Sequence, residues 1–199
     1  YEFAFDPHAK IFEPIFALQL ADALTPFDPL FYEEPLRPEH IAQWARLRAQ
    51  MRVPLATGES LYGRFEFLEL LAAQGADIIQ PDVCICGGLL EMRKIAAIAE
   101  AHYVGVVPHN PLRPVSTAAC LQIAASIPNF ALQEYPIGEG EAPKTEIVKS
   151  AVRQENGYLI VPDAPGIGVE LADDAAEKHP FTPRVVSTRL HEDGSVIDQ

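Results

Sequence analysis

Six titratable residues recur along this 199-residue chain at nearly constant spacing. Consecutive members are 23 to 27 residues apart, and each closes a short, mostly apolar stretch. Five are carboxylates and one is a histidine, a combination that can bind a cation and transfer a proton. The six residues are Asp6, Glu33, Glu59, Asp82, His109 and Glu134.

The segments between these residues predict the elements that must position them. Each apolar stretch reads as a short strand, and each polar end is followed by an amphipathic helix. In residues 37–51, for example, Ile41, Trp44, Leu47 and Met51 recur at steps of three and four. Strict strand–helix alternation with short apolar strands predicts an α/β fold with a parallel sheet.

Six polar strand ends favour a barrel over an open sheet. The strand ends of a barrel converge on one mouth, whereas in an open doubly wound sheet they lie in a row. No Gly-x-Gly-x-x-Gly follows any predicted strand, which argues against a dinucleotide fold. Because a complete barrel takes eight strands and roughly 250 residues, about six strand–helix units predict a partial barrel that lacks its first strands.

The first three of these acids predict a metal site. Carboxylates that converge on one mouth repel each other, and a hard divalent cation such as Mg²⁺ relieves that repulsion. Successive strand residues point to opposite sides, so only one of Glu33 and Glu34 can face the mouth. The 26-residue step to Glu59 favours Glu33. The alternative is that the acids only stabilise the N-termini of the following helices.

Asp82 and His109 end neighbouring strands and predict an acid–base pair. An aspartate that fixes one imidazole tautomer makes the ring a better base. His8, two residues beyond Asp6 on the same predicted strand, should face the same side, and Glu134 could bind a substrate hydroxyl or an oxyanion. The alternatives are loop histidines and a structural acid.

Together, the metal and the base suit one class of reaction. A metal that binds a substrate carboxylate stabilises the enediolate formed when the α-proton leaves. A second acid on the opposite side of the substrate can then protonate a leaving hydroxyl.

The composition of the chain argues against some classes of binding partner. The chain has 28 acidic and 15 basic residues, a formal charge of −13, which argues against nucleic acid and anionic membrane surfaces. No apolar run approaches the roughly 20 residues of a membrane span. Cys84, Cys86 and Cys120 fit no zinc spacing, so we interpret them as reduced thiols and predict a cytoplasmic protein.

The regular alternation stops after Glu134, which predicts two parts. Residues 1–136 form the partial barrel that carries the active site. Residues 137–199, rich in Gly, Pro and charge, form a C-terminal extension that packs on the barrel and on a neighbouring domain. Within it we predict a hairpin around Asn156-Gly157 and a loose tail.

Several motifs, in this order and spacing, resemble the enolase superfamily. Within it they resemble the mandelate racemase subgroup, and most closely the galactonate dehydratase-like sugar-acid dehydratases. The resemblance covers essentially the whole chain, including "PGIGVE…HEDGSV" near its end. The motifs are "FDPH", "FYEEP", "ATGES", "IIQPDVCICGG", "VVPHNP" and "LQE".

The resemblance implies the C-terminal portion of a (β/α)₇β barrel, with the N-terminal capping domain and the first barrel strands absent from this chain. The extension would pack on that capping domain as well as on the barrel. The resemblance also implies a Mg²⁺ ion held by Asp6, Glu33 and Glu59, a sugar-acid substrate and a homo-oligomer.

For catalysis, the resemblance implies dehydration of an aldonate to a 2-keto-3-deoxy acid. His109, paired with Asp82, would abstract the α-proton, His8 would expel the β-hydroxyl, and Glu134 would hydrogen-bond the substrate. Three alternatives stay open: a racemase or epimerase of the same superfamily, a hydrolase on a different metal barrel, and a non-catalytic member. A Lys-x-Lys on the missing second strand would favour the racemase.

Overall fold

Helices and parallel strands alternate in the computed structural model, which describes residues 2–183, 190 and 192–195. No helix in this described part is long and apolar enough to cross a membrane. The main helices are α1 (Pro14–Leu24), α2 (Ile41–Arg48), α3 (Gly63–Ala72), α4 (Leu89–Ala101) and α5 (Pro114–Ala124). The strands between them are β1 (Tyr32–Glu33), β2 (Leu55–Thr57), β3 (Ile78–Ile79) and β4 (Gly105–Val106).

The four strands form one parallel sheet in chain order. A parallel bridge between Phe5 and Tyr32 adds a neighbour to β1, and one between Val106 and Phe130 adds a neighbour to β4. Six segments therefore lie side by side in the predicted order. The predicted α/β class and its parallel sheet are confirmed.

The strands are only two or three residues long, so most of the predicted strand ends lie in the loops that follow. The prediction that His8 continues the strand of Asp6 is wrong. His8 lies in a turn with φ 55°, and the next residue, Ala9, has φ 56°. The turn forms because the His8 backbone N–H donates to Asp6 Oδ1 at 2.6 Å, a local bond that competes with strand pairing.

The apolar faces of the helices pack against the sheet. Trp44 and Leu47 of α2 are 1% and 2% exposed, in line with their helical spacing, and Phe67 of α3 is fully buried. Met92 and Ile95 continue this core on α4. Burial of each such side chain stabilises the fold by roughly 1.5–3 kcal/mol.

At the amino end of the strands, one ion pair links three elements. Arg48, the last residue of α2, donates to Asp77 Oδ1 through Nε at 3.0 Å and through a terminal nitrogen at 2.6 Å. The other oxygen of Asp77, which directly precedes β3, accepts the Leu55 backbone N–H at 2.9 Å. The Asp77 carboxylate therefore ties α2 and the start of β2 to the start of β3.

The predicted hairpin is present in the C-terminal extension. Strands β5 (Gln154–Glu155) and β6 (Tyr158–Leu159) pair antiparallel across Asn156 and Gly157, which both have positive φ, as a tight two-residue hairpin turn requires. Val152, Leu159, Ile167 and Val169 pack on Ala118 and Leu121 of α5. A short helix, α6 (Ala175–Lys178), follows. Of the predicted tail, residues 184–189, 191 and 196–199 lie outside the described residues, and these include the first and last residues of "HEDGSV".

Candidate active site

A cavity of about 420 Å³ opens at the carboxyl ends of the strands. It is lined by six of the seven predicted site residues, and the seventh, Asp82, is fully buried behind His109. The six are Asp6, His8, Glu33, Glu59, His109 and Glu134. A groove of similar size between α5 and the β5–β6 hairpin has no acid, histidine or cysteine in its lining.

The Asp82–His109 pair is formed as the sequence predicts. A parallel bridge joins the two residues, and His109 Nδ1 lies 2.9 Å from Asp82 Oδ2. Asp82 is a buried acceptor, so Nδ1 carries the proton and Nε2 faces the cavity as the basic nitrogen. Burial by itself lowers the pKa of His109, but the bond to Asp82 and the charges of Glu59 and Glu134 outweigh it and raise that pKa.

Glu59 lies between the two histidines. Its Oε1 is 3.3 Å from His8 Nδ1, and its Oε2 is 3.6 Å from His109 Nε2. The side chain of His8 is 61% exposed and that of His109 only 13%. The site therefore has one sheltered imidazole and one at the rim, with a carboxylate between them.

Glu33, rather than Glu34, lines the cavity. Burial raises the pKa of Glu33 to about 7, and repulsion from Asp6, Glu59 and Glu134 adds to the rise. A hydrogen bond from Gln80 opposes the increase. Gln80, which is 3% exposed and lines the same cavity, was not among the predicted site residues, although an amide between the apolar residues of a predicted strand and Pro81 was a usable signal.

Glu34 is fully buried on the other side of its strand. Its Oε2 accepts the Thr57 hydroxyl and, at 3.3 Å, the Gly58 backbone N–H. Burial raises the pKa of Glu34 to about 7 although both hydrogen bonds lower it. Gly58 has φ 134°, and a Cβ there would lie 2.8 Å from Phe67 Cε1, so the residue before Glu59 has to be glycine.

Glu134 is held by the residue after His109. Its carboxylate accepts the Asn110 backbone N–H, and its backbone carbonyl accepts Asn110 Nδ2 at 3.2 Å. Asn110 Nδ2 also donates to Thr117 Oγ1 of α5 at 2.8 Å, and that hydroxyl donates to the buried Glu139 at 2.8 Å. Sequence analysis did not anticipate this polar network, because its members are far apart in the chain.

The comparisons with known proteins place this fold and site in a family. Residues 1–175 match the family model described as enolase C-terminal domain-like. The chain belongs to the enolase C-terminal domain-like family. The predicted resemblance to the enolase superfamily is therefore confirmed.

Curated relatives of this enolase C-terminal domain-like chain carry the name D-galactonate dehydratase. One from Ralstonia nicotianae is 41% identical over an alignment of 175 positions, which covers 85% of this chain and 46% of that protein. One from Xanthomonas oryzae pv. oryzae is 38% identical over an alignment of 204 positions, gaps included, which covers 99% of this chain and 53% of that protein. The chain thus spans about half the length of these relatives.

Solved structures of the same superfamily share the fold. An enolase from Agrobacterium radiobacter, a galactarate dehydratase candidate solved with Na and L-malate, is 47% identical with a TM-score of 0.91. The match covers 98% of this chain and 53% of that one. A mandelate racemase/muconate lactonizing enzyme from Jannaschia sp. CCS1 is 37% identical with a TM-score of 0.85, over 92% of this chain and 46% of that one.

The cavity of this enolase C-terminal domain-like chain suits a hard cation in its donor chemistry. Asp6, Glu33 and Glu59 offer only carboxylate oxygens, and no Lys or Arg is among the residues that line the cavity. Within the described residues, however, no group of three or more His, Cys, Asp or Glu side chains is already placed to hold a metal ion. His8 Nδ1 lies between two of the acids, 3.7 Å from Asp6 and 3.3 Å from Glu59.

Proposed function

We propose that this chain carries the active site of a Mg²⁺-dependent sugar-acid dehydratase, which converts an aldonate to a 2-keto-3-deoxy acid. The observation that carries the proposal is the arrangement of two histidines on either side of Glu59 in one anionic cavity. Elimination of water needs a base at the α-carbon and an acid at the β-hydroxyl, and the two imidazoles supply these roles. The names of the curated relatives support D-galactonate as the first substrate to try.

His109 is the base in this proposal. Asp82 holds its Nδ1 proton, so the neutral ring presents the Nε2 lone pair to the cavity. The buried carboxylate also stabilises the imidazolium that forms when the α-proton is taken up. The low exposure of the His109 side chain keeps bulk water away from the transferred proton.

His8 is the acid. It lies at the rim of the cavity, on the far side of Glu59 from His109, so it can reach a hydroxyl on the carbon next to the one that loses its proton. Its exposed ring can regain a proton from solvent after each turnover.

Asp6, Glu33 and Glu59 would hold Mg²⁺, which when bound supplies positive charge beside the substrate carboxylate as the α-proton leaves. Glu134 lines the same cavity and would accept a hydrogen bond from a substrate hydroxyl. Its carboxylate already accepts the Asn110 N–H, which fixes its direction for that contact.

The architecture of the whole protein is part of the proposal. We propose that the six parallel segments belong to a (β/α)₇β barrel, with residues 1–136 as the barrel part and residues 137–199 as the extension that packs on it and on a capping domain. Packing of Val152 and Leu159 on α5 supports the first of these contacts. Homo-oligomerisation and a cytoplasmic location stay predictions.

The test separates the two histidines. The full-length protein with Mg²⁺ is incubated with a panel of aldonic acids in deuterated solvent, and both α-proton exchange and 2-keto-3-deoxy product are measured. We expect His8→Asn to lower dehydration by about 10²–10⁴-fold while α-proton exchange continues. We expect His109→Asn to abolish both, because the α-proton is never removed.

His102→Asn is the matched control, since His102 is an exposed histidine at the C-terminus of α4. It should dehydrate at the parent rate. Dehydration by His8→Asn at the parent rate would contradict the assignment of the acid. Epimerised substrate without 2-keto-3-deoxy product from the parent protein would replace the proposal by the racemase alternative.

A further inference from the structure

Glu34 has no place in the cavity, yet it contacts the two neighbouring segments, which both carry cavity residues. We propose that Glu34 is a positioning residue, which fixes Glu59 and the turn of His8 relative to each other. The inference rests on the proposed function for the chemistry that the positioned groups perform. The side chain of Glu34 makes some of these contacts, and its main chain makes the others.

The side chain reaches the end of β2. Glu34 Oε2 accepts hydrogen bonds from the Thr57 hydroxyl and from the Gly58 backbone N–H, the two residues directly before Glu59. Thr57 is 3% exposed and Glu34 is fully buried, so water does not compete for these bonds. Gly58 adopts φ 134° beneath Phe67, and this sharp turn aims Glu59 into the cavity.

The main chain of Glu34 reaches both neighbouring segments. Its carbonyl accepts the Ala9 backbone N–H at 2.6 Å, directly after His8, and its N–H donates to the Ala56 carbonyl at 3.0 Å. Glu34 itself has φ 35°, a left-handed conformation that is uncommon for a residue with a side chain. Such a conformation persists only where surrounding contacts hold it, and functional sites are where it concentrates.

The contacts of Glu34 meet again at Glu59. His8 Nδ1 and His109 Nε2 both lie within 3.6 Å of the Glu59 carboxylate. A shift of the Thr57–Gly58 turn would therefore change the surroundings of both imidazoles at once. A residue that only filled the core would have no reason to couple to the two rings.

Thr57 provides the cleanest test. Glu34→Ala would leave a hole in the core and can fail to fold, whereas Thr57→Val keeps the volume and removes only the donated hydroxyl. Thr57→Ser is the matched variant that restores the hydroxyl. Asp77→Asn serves as a control for weakened, partly buried hydrogen bonds at the opposite end of the sheet.

Two readouts on the full-length protein are independent of turnover. With ¹³C-labelled histidine, the ring resonances of His8 and His109 should both shift in Thr57→Val and should keep their parent positions in Thr57→Ser and Asp77→Asn. Titration with Mn²⁺ in place of Mg²⁺, followed by electron paramagnetic resonance, should show affinity weakened by about 10–100-fold in Thr57→Val alone. Where dehydration is measurable, kcat should fall by a similar factor and recover in Thr57→Ser.

Unchanged ring resonances and Mn²⁺ affinity in a folded Thr57→Val variant would overturn the inference. So would equal shifts in Asp77→Asn, because they would show a general response to lost stability. A parent protein that dehydrates no sugar acid would contradict the proposed function instead. The ring resonances would still decide whether Glu34 positions the site.

Discussion

Strand β3 has an aspartate at each end, and the two aspartates are used differently. Asp77, before the strand, contacts Arg48 and a backbone N–H, so its charge is balanced inside the fold. Asp82, after the strand, contacts an imidazole that faces a cavity full of other acids. The same residue type thus serves stability at one end of the sheet and chemistry at the other.

The difference lies in what balances the charge. At the amino end, the guanidinium and the carboxylate neutralise each other, and their bond raises the pKa of Arg48. At the carboxyl end, burial raises the pKa of Glu33 and repulsion from Asp6, Glu59 and Glu134 adds to the rise, while no Lys or Arg is among the residues that line the cavity. Unbalanced negative charge lowers the stability of the folded protein. A site that binds a cation and a substrate retains this charge because binding requires it.

The largest expected effect is the difference in dehydration between two single variants, Asp82→Asn and Asp77→Asn. In the full-length protein, Asp82→Asn should lower dehydration by about 10²–10⁴-fold, because the amide no longer holds the His109 proton on Nδ1. Asp77→Asn should leave kcat within the error of the parent under conditions where both are folded. Steady-state kinetics on the best aldonate checks this, and equal losses in both variants would break the comparison.

For the free energy of unfolding, in contrast to the rate of dehydration, the variant to examine is Asp77→Asn. Asp77→Asn weakens the two hydrogen bonds that Arg48 donates to Asp77 Oδ1 and one backbone hydrogen bond, and we expect the free energy of unfolding to fall by about 1–3 kcal/mol. Urea unfolding followed by circular dichroism measures this. Arg48→Gln should give a loss of the same size, and the double variant should lose less than the sum of both. Strict additivity would show that the pair does not act as a unit.

The raised pKa values of Glu33, in the cavity, and of Glu34, buried beside it, should appear in the pH dependence of the stability of metal-free protein. The folded-state pKa values of Glu33 and Glu34, about 7, lie above their unfolded value of 4.5, so the folded protein binds more protons between these limits. The free energy of unfolding therefore falls as pH rises from 5 to 7, and the raised pKa of His109 acts in the same direction above 6.5.

Scanning calorimetry should accordingly show a melting temperature that is lower at pH 8 than at pH 5. Mg²⁺ at pH 8 should recover part of the loss, since it binds the ionised carboxylates. Glu33→Gln removes one of the responsible groups and should flatten the profile. A melting temperature that rises from pH 5 to pH 8 in metal-free protein would contradict the view of the cavity as a source of instability.

The smallest effect concerns thiol reactivity. Cys84 is exposed and its backbone N–H donates to Asp82 Oδ1 at 2.7 Å, whereas burial raises the pKa values of Cys86 and Cys120 to about 12. One thiol per chain should react quickly with a disulfide reagent at pH 8, and Cys84→Ser should abolish the fast phase. Fast reaction of two or more thiols would show that the core beside the cavity opens readily.

Much of the site was predictable because parallel strands impose a simple rule on the sequence. The pattern of one polar residue after each apolar stretch, at steps near 25, was enough to predict that Asp82 and His109 lie close together and that six segments align in chain order. Alternation along a strand also predicted that only one of Glu33 and Glu34 faces the cavity, and the 26-residue step to Glu59 favoured Glu33, which does line it. These inferences depend on local periodicity, which one sequence contains in full.

The remainder depended on contacts that no local pattern records. His8 was assigned to a strand because no local sequence pattern marks the Asx turn. In that turn the His8 N–H bonds to Asp6 and not to a neighbouring strand. Gln80 was not predicted because the prediction relied on titratable residues and an amide does not titrate. The bonds that Asn110 makes to Thr117 and Glu134 join residues 7 and 24 positions apart, and only the packing of α5 brings them together.

Gly58 has a consequence for how this sequence can change. Almost any single-base change in its codon that alters the amino acid introduces a Cβ, which would meet the ring of Phe67 at 2.8 Å in a backbone conformation that L-residues avoid. The neighbouring surface helices can drift by many small substitutions, but this position has no gradual route away from glycine. Its mutational tolerance should therefore be close to zero, and a library of all substitutions at residue 58 would contain essentially one functional member.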